Sequence, residues 1–413
     1  MKNLFYSIAA CIALLLITSC DSDNIEMKAD FSIPEPGEGE RDTFVSNLFR
    51  KAVNEDLQNN KANTLVSPLS VSFALGMLVN GAEGETKNEI MNALGYKDLS
   101  VDQVNEFSQK LTEILTSTAD TSVSFSIANS IWYDTNFNVK ETFVQTNKTF
   151  YDAEVNKIDF KSPDAIDIIN KWCSDKTKNK IPKPLEYLSE ESKMALVNAL
   201  HFKGPWLDGF MESNTEKKPF YAEDGSNTDI DIMFTSGIYK YKSDSYAEYL
   251  EMPLGRYPFE KAYNMIVILP NEGKTVQEVF NNVDYDPSWT SGHSRNELVR
   301  ISLPKFKIDF SYELEKYILP EMGMKVPFTP YANFNGIGPD LFINTVVHKT
   351  TIDVNEKGVE AAAVTIGGWG TMNGDDVVPT FIDFNVNRPF LFSICEKTTG
   401  TVLFVGKIGE ITP

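Results

Sequence analysis

The sequence predicts a single large α+β domain over residues 43–413. Hydrophobic residues make up 42% of the 413 residues and charged residues 23%, which is enough apolar material for a sizeable core and rules out disorder as the main state. Segments with helical and with strand-like hydrophobic patterns alternate along the chain. No linker, repeat or change of composition divides residues 43–413, so we expect one unit that is larger than most domains.

The predicted helices are marked by spacing and by capping residues. Apolar residues recur at helical spacing from position 44, so a first amphipathic helix begins near Thr43. Residues 67–78 are apolar on nearly every side, which is typical of a helix buried in a large fold. Ser67 can cap this helix, with Pro68 at the first helical position. Further helices are expected over Val101–Thr116 and Ala165–Lys176.

Five apolar runs predict strands. They are Val123–Tyr133, Ala195–Phe202, Asn264–Leu269, Phe390–Cys395 and Val402–Val405. The second is almost wholly apolar, as expected for a central strand covered on both faces. The last two, joined by a short segment that contains a glycine, indicate a hairpin buried on both faces.

The first nineteen residues, Met1–Ser19, have the pattern of a secretory signal peptide. Lys2 precedes an apolar run over residues 8–17 that is too short to span a bilayer comfortably. The run ends in Ile-Thr-Ser-Cys, which resembles the bacterial lipobox, so Cys20 is the expected lipid attachment site and first mature residue. The alternative is a plain signal peptide cut near Ser19, with Cys20 incidental.

Residues 20–42 then form an acidic tether. Eight carboxylates stand against two basic side chains, and prolines and glycines break regular structure. We therefore expect a protein secreted across the inner membrane and lipid-anchored to the bacterial cell envelope, at the outer membrane or cell surface.

Charge and motifs exclude several functions. The net charge of −20 repels a phosphate backbone, so nucleic acid is not expected as a partner. The four cysteines and three histidines have no zinc-site spacing, and the sequence leaves open whether Cys173 and Cys395 form a disulfide. No hydrolase, metalloprotease or phosphate-loop motif occurs, so we expect no enzyme, metal or cofactor.

One segment has the composition of a long exposed loop. Residues 365–380 contain four glycines, two adjacent aspartates and a proline between predicted strands. Such loops in compact domains usually carry function.

The residues before this loop resemble the hinge of the serpin family. Residues 355–365 read Asn-Glu-Lys-Gly-Val-Glu-Ala-Ala-Ala-Val-Thr, and inhibitory serpins have Glu-x-Gly-(Thr or Ser)-Glu followed by small residues. Further stretches agree in order and spacing over residues 43–413: Asn63, Ser67–Ser70, Gly81–Ala82, Leu196–Trp206, Leu303–Phe306, Leu319–Met324, Val347–Thr350 and Asn387–Phe392.

The resemblance implies the serpin fold, which is a single large α+β domain with a main mixed sheet, smaller sheets, surrounding helices and an exposed reactive-centre loop. It also implies a suicide substrate for a serine protease: the loop is cleaved, inserts into the main sheet and traps the protease covalently. A monomer is expected. The alternative is a non-inhibitory serpin that acts as a surface binding protein.

The hinge fits insertion because alternate residues of a strand face one side. Val359, Ala361 and Ala363 are small or β-branched and would face inward, although Val359 departs from the usual hydroxyl residue. Before cleavage, Val359 is expected at the exposed base of the loop. The predicted hinge consists of Glu356, Gly358, Val359, Glu360, Ala361, Ala362 and Ala363.

Other matched residues imply a region where the sheet opens. The family has a polar cluster beneath the strands that part, with an aromatic side chain at the top of the opening. These positions correspond to Ser67, Ser70, Asn198 and His348 for the cluster and Trp206 for the aromatic.

The scissile bond is predicted from the family's hinge-to-bait spacing. Sixteen residues on from Glu356, this places it at Met372–Asn373, whereas a count back from Phe384 shifts it toward Val378. A methionine favours elastase- or chymotrypsin-like serine proteases, and a cysteine protease is also possible. Trp369 would face inward and slow or shorten insertion.

Overall fold

The structure is a computed structural model that describes residues 44–117, 120–180, 183, 185–188, 192–256, 263–282, 294–359 and 380–412. All of these belong to the compact unit Pro36–Pro413. The predicted signal peptide, Cys20, the acidic tether and the bait loop lie outside the described residues.

Eight α-helices occur in the described part of the chain, with two short 3-10 turns at Glu212–Asn214 and Val326–Phe328. The helices are α1 (Phe44–Gln58), α2 (Pro68–Val79), α3 (Gly84–Ala93), α4 (Val101–Thr116), α5 (Glu141–Tyr151), α6 (Ala165–Lys176), α7 (Val276–Asn282) and α8 (Ile318–Glu321).

The same residues contain fifteen strands: β1 (Thr64–Val66), β2 (Ser124–Asp134), β3 (Glu154–Ile158), β4 (Met194–Pro205), β5 (Glu216–Tyr221), β6 (Asn227–Ser243), β7 (Ala247–Leu254), β8 (Tyr263–Pro270), β9 (Arg295–Pro304), β10 (Phe306–Glu313), β11 (Val347–Asn355), β12 (Gly358–Val359), β13 (Ile382–Asn385), β14 (Phe390–Glu396) and β15 (Val402–Ile408).

Two sheets share these strands. The six-stranded sheet has the order β10-β11-β12-β4-β2-β3 and is mixed, because β2 and β3 run parallel while the other neighbours are antiparallel. The nine-stranded sheet has the order β1-β15-β14-β8-β7-β6-β9-β13, with β5 also paired to β6. This is the α+β architecture that the sequence predicts.

Helix α2 lies between the two sheets, in contact with β4 of one and β15 of the other. Its capping is the one predicted: the Ser67 side chain accepts a hydrogen bond from the backbone N–H of Ser70, and Pro68 is the first helical residue. Nearly all of its residues are buried, because both sides of the helix face a sheet.

The predicted elements are confirmed with small shifts at their ends. Helices α4 and α6 have the predicted bounds. Strands β2 and β4 begin and end within three residues of their own predicted bounds. The predicted C-terminal hairpin is formed by β14 and β15, both fully buried. Cys173 and Cys395 are both free thiols buried in the fold. Among the described residues, no helix is long and apolar enough to span a bilayer.

Candidate functional site

Among the described residues, the strand ladder at the centre of the six-stranded sheet passes through the two residues of β12. Strand β11 pairs along its length with β10, and β4 pairs with β2, but β4 and β11 meet only through β12. Beyond β12, the facing edges of β4 and β11 have no ladder partner in the part of the chain that the structure describes. We call this space between β4 and β11 the slot, and it is one strand wide where β12 occupies it.

Strand β12 is the first part of the predicted hinge. Val359 lies opposite Val354 of β11 and Gly204 of β4, and Gly358 lies opposite Asn355 and Pro205. Gly358 has φ +137°, in the region that favours glycine, which explains a glycine where the chain turns from β11 into β12.

The sequence-based expectation for Val359 was wrong. Its side chain is 2% exposed, whereas we expected it at the exposed base of the loop. The physical reason is that Val359 already pairs with a strand on each side, so both neighbouring strands and the core below cover it. The described part of the hinge, Gly358 and Val359, therefore already lies in the sheet.

Glu356 holds the turn before β12. Its Oε1 accepts hydrogen bonds from Thr215 Oγ1 at 2.7 Å and is 3.1 Å from Lys305 Nζ. Burial alone raises the pKa of Glu356, but the hydrogen bonds from Thr215 and Lys305 and the charge of Lys305 outweigh this effect and lower it. The carboxylate is therefore charged and anchored at neutral pH.

Trp206 closes the end of the slot at which β12 enters. The indole is buried, donates from Nε1 to Asn355 O at 2.8 Å and packs edge-on against Phe210 at 5.9 Å between ring centroids. The Trp206 backbone N–H also donates to Lys357 O. The predicted aromatic thus contacts the hinge turn directly.

The four residues of the predicted polar cluster come together beneath the slot. Ser67 N donates to His348 Nε2 at 3.0 Å, and Ser70 Oγ donates to Asn198 Oδ1. Burial lowers the pKa of His348 to about 4, so at neutral pH the imidazole is uncharged and able to accept this backbone hydrogen bond.

One further member of this cluster, Asn129, is not among the residues predicted from the sequence. Asn129 of β2 lies directly opposite Asn198, and its Oδ1 accepts from Asn198 Nδ2 at 2.6 Å. Its own Nδ2 donates to Tyr151 O at the end of α5. The signal was a buried asparagine in an otherwise mostly apolar strand, and its partner could be identified only from the β2–β4 register.

Helix α6 covers the far part of the slot. A narrow cavity of about 20 Å³, enough for one water molecule, lies there between Cys173 of α6, Val197 of β4 and Val347 of β11. Trp172 of α6 packs edge-on against Trp132 of β2 at 6.3 Å, so the helix is docked on the sheet. A strand that extended β12 along the slot would have to displace α6.

The other predicted site residues lie outside the described residues. They are the rest of the hinge, Glu360, Ala361, Ala362 and Ala363, together with the predicted scissile bond Met372–Asn373 and the lipidation site Cys20. Among the described residues, no three His, Cys, Asp or Glu side chains are arranged to hold a metal ion.

Comparisons with known proteins agree with this arrangement. The sequence model of the family described as "Serpin (serine protease inhibitor)" matches residues 40–411. Iripin-1 of Ixodes ricinus is 34% identical over 386 residues, which cover 89% of this chain and 94% of the relative. An uncharacterized serpin-like protein of Methanosarcina acetivorans is 32% identical over 374 residues, covering 88% and 84%.

Solved structures are similar over most of the chain. The thermophilic serpin tengpin in its native state has a TM-score of 0.78 at 29% identity, covering 89% of this chain and 92% of tengpin. Human thyroxine-binding globulin has a TM-score of 0.79 at 26% identity, covering 90% and 98%.

Proposed function

Because the chain belongs to the serpin family, whose members are generally protease inhibitors, we propose that it inhibits serine proteases as a suicide substrate. A protease cleaves the loop between β12 and β13, and the severed end inserts into the slot while the protease is still bound to it as an acyl-enzyme. The observation that carries this proposal is β12, whose two residues already pair with both walls of the slot.

Insertion would be favourable because, among the residues that the structure describes, the edges of β4 and β11 beyond β12 have no paired strand. An added strand would donate and accept backbone hydrogen bonds along β4 and β11, each worth about 1 kcal/mol net. The family resemblance indicates which side chains of the inserted strand would face the core. Ala361 and Ala363 would follow Val359 on that inward face. Small side chains at these positions fit a closing sheet.

The polar cluster would let β4 move while most of its buried groups keep their partners. Ser70, Asn198 and Asn129 exchange hydrogen bonds that stay intact if α2 and β2 move with β4. The hydrogen bond from Ser67 N to His348 Nε2 of β11 is the one that such a movement strains, and a buried group left without a partner costs about 1–3 kcal/mol. Trp206 would guide the hinge at the entrance.

The family's hinge-to-bait spacing suggests which bond is cut, and the methionine at that bond suggests which proteases are targets. We propose Met372–Asn373 as the scissile bond and an elastase- or chymotrypsin-like serine protease as the target, with a cysteine protease as a further candidate. We also propose that Cys20 carries a lipid anchor that holds the domain at the bacterial cell envelope, with residues 21–42 as the tether.

The experiment is to incubate the chain with elastase, chymotrypsin and a papain-type protease and to look for complexes that survive denaturing electrophoresis. If the chain is an inhibitor, a covalent complex with the protease appears as a band on the gel. The protease loses its catalytic activity in proportion to the amount of this complex. A non-inhibitory surface binding protein gives loop cleavage with no covalent band and an active protease, which would reject the proposal.

A further inference from the structure

Four carboxylates lie where the C-terminal end of α1 meets the end of β10. Glu55 and Asp56 are in the last turn of α1, Glu313 is the last residue of β10, and Glu315 follows it. A hydrogen bond from Tyr312 of β10 to Asp56 joins the two elements. We call these four acidic residues the carboxylate cluster. None of them belongs to the hinge turn or to the polar cluster beneath the slot.

Asp56 is the most buried member of the carboxylate cluster and is 1% exposed. Its Oδ2 accepts hydrogen bonds from Thr64 Oγ1 at 2.8 Å and from Tyr312 Oη at 2.5 Å. No hydrogen-bond donor in the described part of the chain reaches its Oδ1, which lies 3.5 Å from Nζ of the exposed Lys61. Burial raises the pKa of Asp56, because the hydrogen bonds and the charge of Lys61 offset the loss of solvent only in part.

Glu55 and Glu315 are half-buried and also have few partners. The buried Oε2 of Glu55 accepts no hydrogen bond from the described residues. Glu315 Oε2 accepts one from the backbone N–H of Val346, at 2.9 Å. Burial is the largest cause of the raised pKa of both glutamates, and the negative charges of neighbouring members of the carboxylate cluster raise it further.

Positive charges near the carboxylate cluster are few. Among the described residues, the basic side chains that act on it are Lys61 and Lys316, and Lys316 Nζ is already paired with Glu313 Oε2 at 2.5 Å. The C-terminal end of α1 carries a partial negative charge of its own. Other titratable groups on the surrounding elements are Arg50, which lies over the Phe280 ring, Lys51 paired with Glu321 of α8, Lys407 of β15 paired with Glu223, and His348 of β11, opposite Tyr312.

The folded chain therefore binds protons at the carboxylate cluster more readily than the unfolded chain does. The pKa values of Glu55 and Asp56 are raised above the ordinary 4.5 and 3.8, so between the folded and the ordinary values the folded state binds more protons. The contribution of the carboxylate cluster to stability consequently rises as the pH falls through this range. The pKa values of His348 and Glu356 are lowered, so their contributions have the opposite sign.

We propose that the carboxylate cluster is a pH-sensitive contact between α1 and β10. It takes up protons as the pH falls from neutral and then holds α1 more firmly against β10, which is the outer strand on the β11 side of the slot. Tyr312 and Thr64 extend the contact to β10 and β1, because both donate to the same oxygen of Asp56. The proposal concerns the intact chain and does not depend on the proposed inhibitory function.

The first test compares melting temperatures of the full chain near neutral pH and near about pH 4.5, for the wild type, the double variant Glu55→Gln/Glu315→Gln and the control Glu113→Gln. Glu113 is exposed and lies three residues before the end of α4, as Glu55 does in α1, so the control removes a similar helix-terminal charge outside the carboxylate cluster. Glutamine keeps the size of each side chain and an acceptor for the Val346 N–H.

We expect the double variant to melt about 2–4 °C above the wild type near neutral pH and within about 1 °C of it at the acidic pH. The control should differ little from the wild type at either pH. Glutamates that only stabilise the fold through their contacts would give the double variant a lower melting temperature near neutral pH. That result, equal melting temperatures near neutral pH, or the same shift at both pH values overturns the proposal.

A second variant changes the charge balance without altering a carboxylate. Lys61→Gln removes an exposed cation, so it should lower the melting temperature by about 1–2 °C near neutral pH and by less at the acidic pH. A loss of the same size at both pH values, or no loss at either, overturns the proposal.

Hydrogen exchange locates the effect in the fold. Near neutral pH, backbone amides of α1 should exchange about three- to tenfold more slowly in the double variant than in the wild type, while those of α4 exchange at the same rate. Unchanged or faster exchange in α1 shows that the charges of the carboxylate cluster do not loosen this helix, and also overturns the proposal.

Discussion

Val359 lies directly opposite Gly204 of β4, so this residue of the predicted hinge is already a strand residue before any cut is made. This pairing buries the Val359 side chain before any cleavage. The proposed inhibition also requires this side chain to face the core. Substitutions at Val359 should therefore change the stability of the intact chain as well as its inhibition.

Val359→Arg should convert the inhibitor into a substrate and should also destabilise the uncleaved chain. A guanidinium at this site is desolvated with no partner, which costs several kcal/mol, on the order of 3–5. The measurements are the melting temperature of the uncleaved chain and the moles of inhibitor consumed per mole of protease inactivated. Val359→Thr is the matched control, because threonine keeps the shape and should preserve inhibition. If Val359→Arg leaves both quantities unchanged, Val359 does not enter the sheet.

Lys305→Met tests the anchor of the hinge turn. The change leaves Glu356 buried with only Thr215 as a side-chain partner, so we expect the chain to lose about 1–3 kcal/mol of stability at neutral pH. Because the pKa of Glu356 is lowered in the fold, its contribution is present above the unfolded value and is lost as the pH falls through the folded value. Denaturant unfolding at neutral and acidic pH measures this. A variant with the same acid sensitivity as the wild type would contradict the assignment.

His348 should give the fold a second pH dependence, with the same sign. Its folded pKa of about 4 lies below the ordinary 6.5, so the unfolded chain binds more protons between these values and stability falls as the pH drops from 6.5 toward 4. The loss is on the order of 3 kcal/mol, at 1.36 kcal/mol per pKa unit. His348→Gln keeps an acceptor for Ser67 N but does not titrate, so its unfolding midpoint should depend less on pH in this window. Equal slopes would exclude His348 as the cause.

The sequence predicted those parts of the fold that depend on local pattern. The Ser67 cap follows from the residues next to it, and the bounds of α4 and α6 follow from the helical spacing of the apolar residues within each helix. The burial of β14 and β15 follows from their unbroken apolar runs.

The parts that were missed depend on pairing between distant segments. Nothing near Val359 in the sequence indicates that Gly204, far away along the chain, covers it. Asn129 is recognisable as a cluster member only once its register with Asn198 is known.

Asn129→Leu should destabilise the chain through the polar cluster. Asn198 Nδ2 and Tyr151 O would lose their partner in a buried setting, at a cost of about 1–3 kcal/mol for each group left unpaired. Thermal unfolding measures the loss. Asn138→Leu, in the segment between β2 and α5, is the control, because its side chain is exposed and the change should have little effect. Similar melting temperatures for the two variants would show that Asn129 is not essential to the cluster.

Cys20→Ala should release the protein from membranes and leave the proposed inhibition intact, because the predicted acidic tether separates the proposed anchor from the serpin domain. Membrane and soluble fractions of cells that express each form, probed for the protein, provide the test. Equal membrane association of the two forms would contradict lipid attachment at Cys20.

The most direct test of loop insertion is the melting temperature of the chain before and after its bait loop is cut by a protease that it does not trap. If the cut loop fills the slot between β4 and β11, about ten new backbone hydrogen bonds at ~1 kcal/mol each should raise the melting temperature by roughly 10–15 °C. An unchanged melting temperature after complete cleavage would show that the loop does not insert, and would contradict the proposed mechanism.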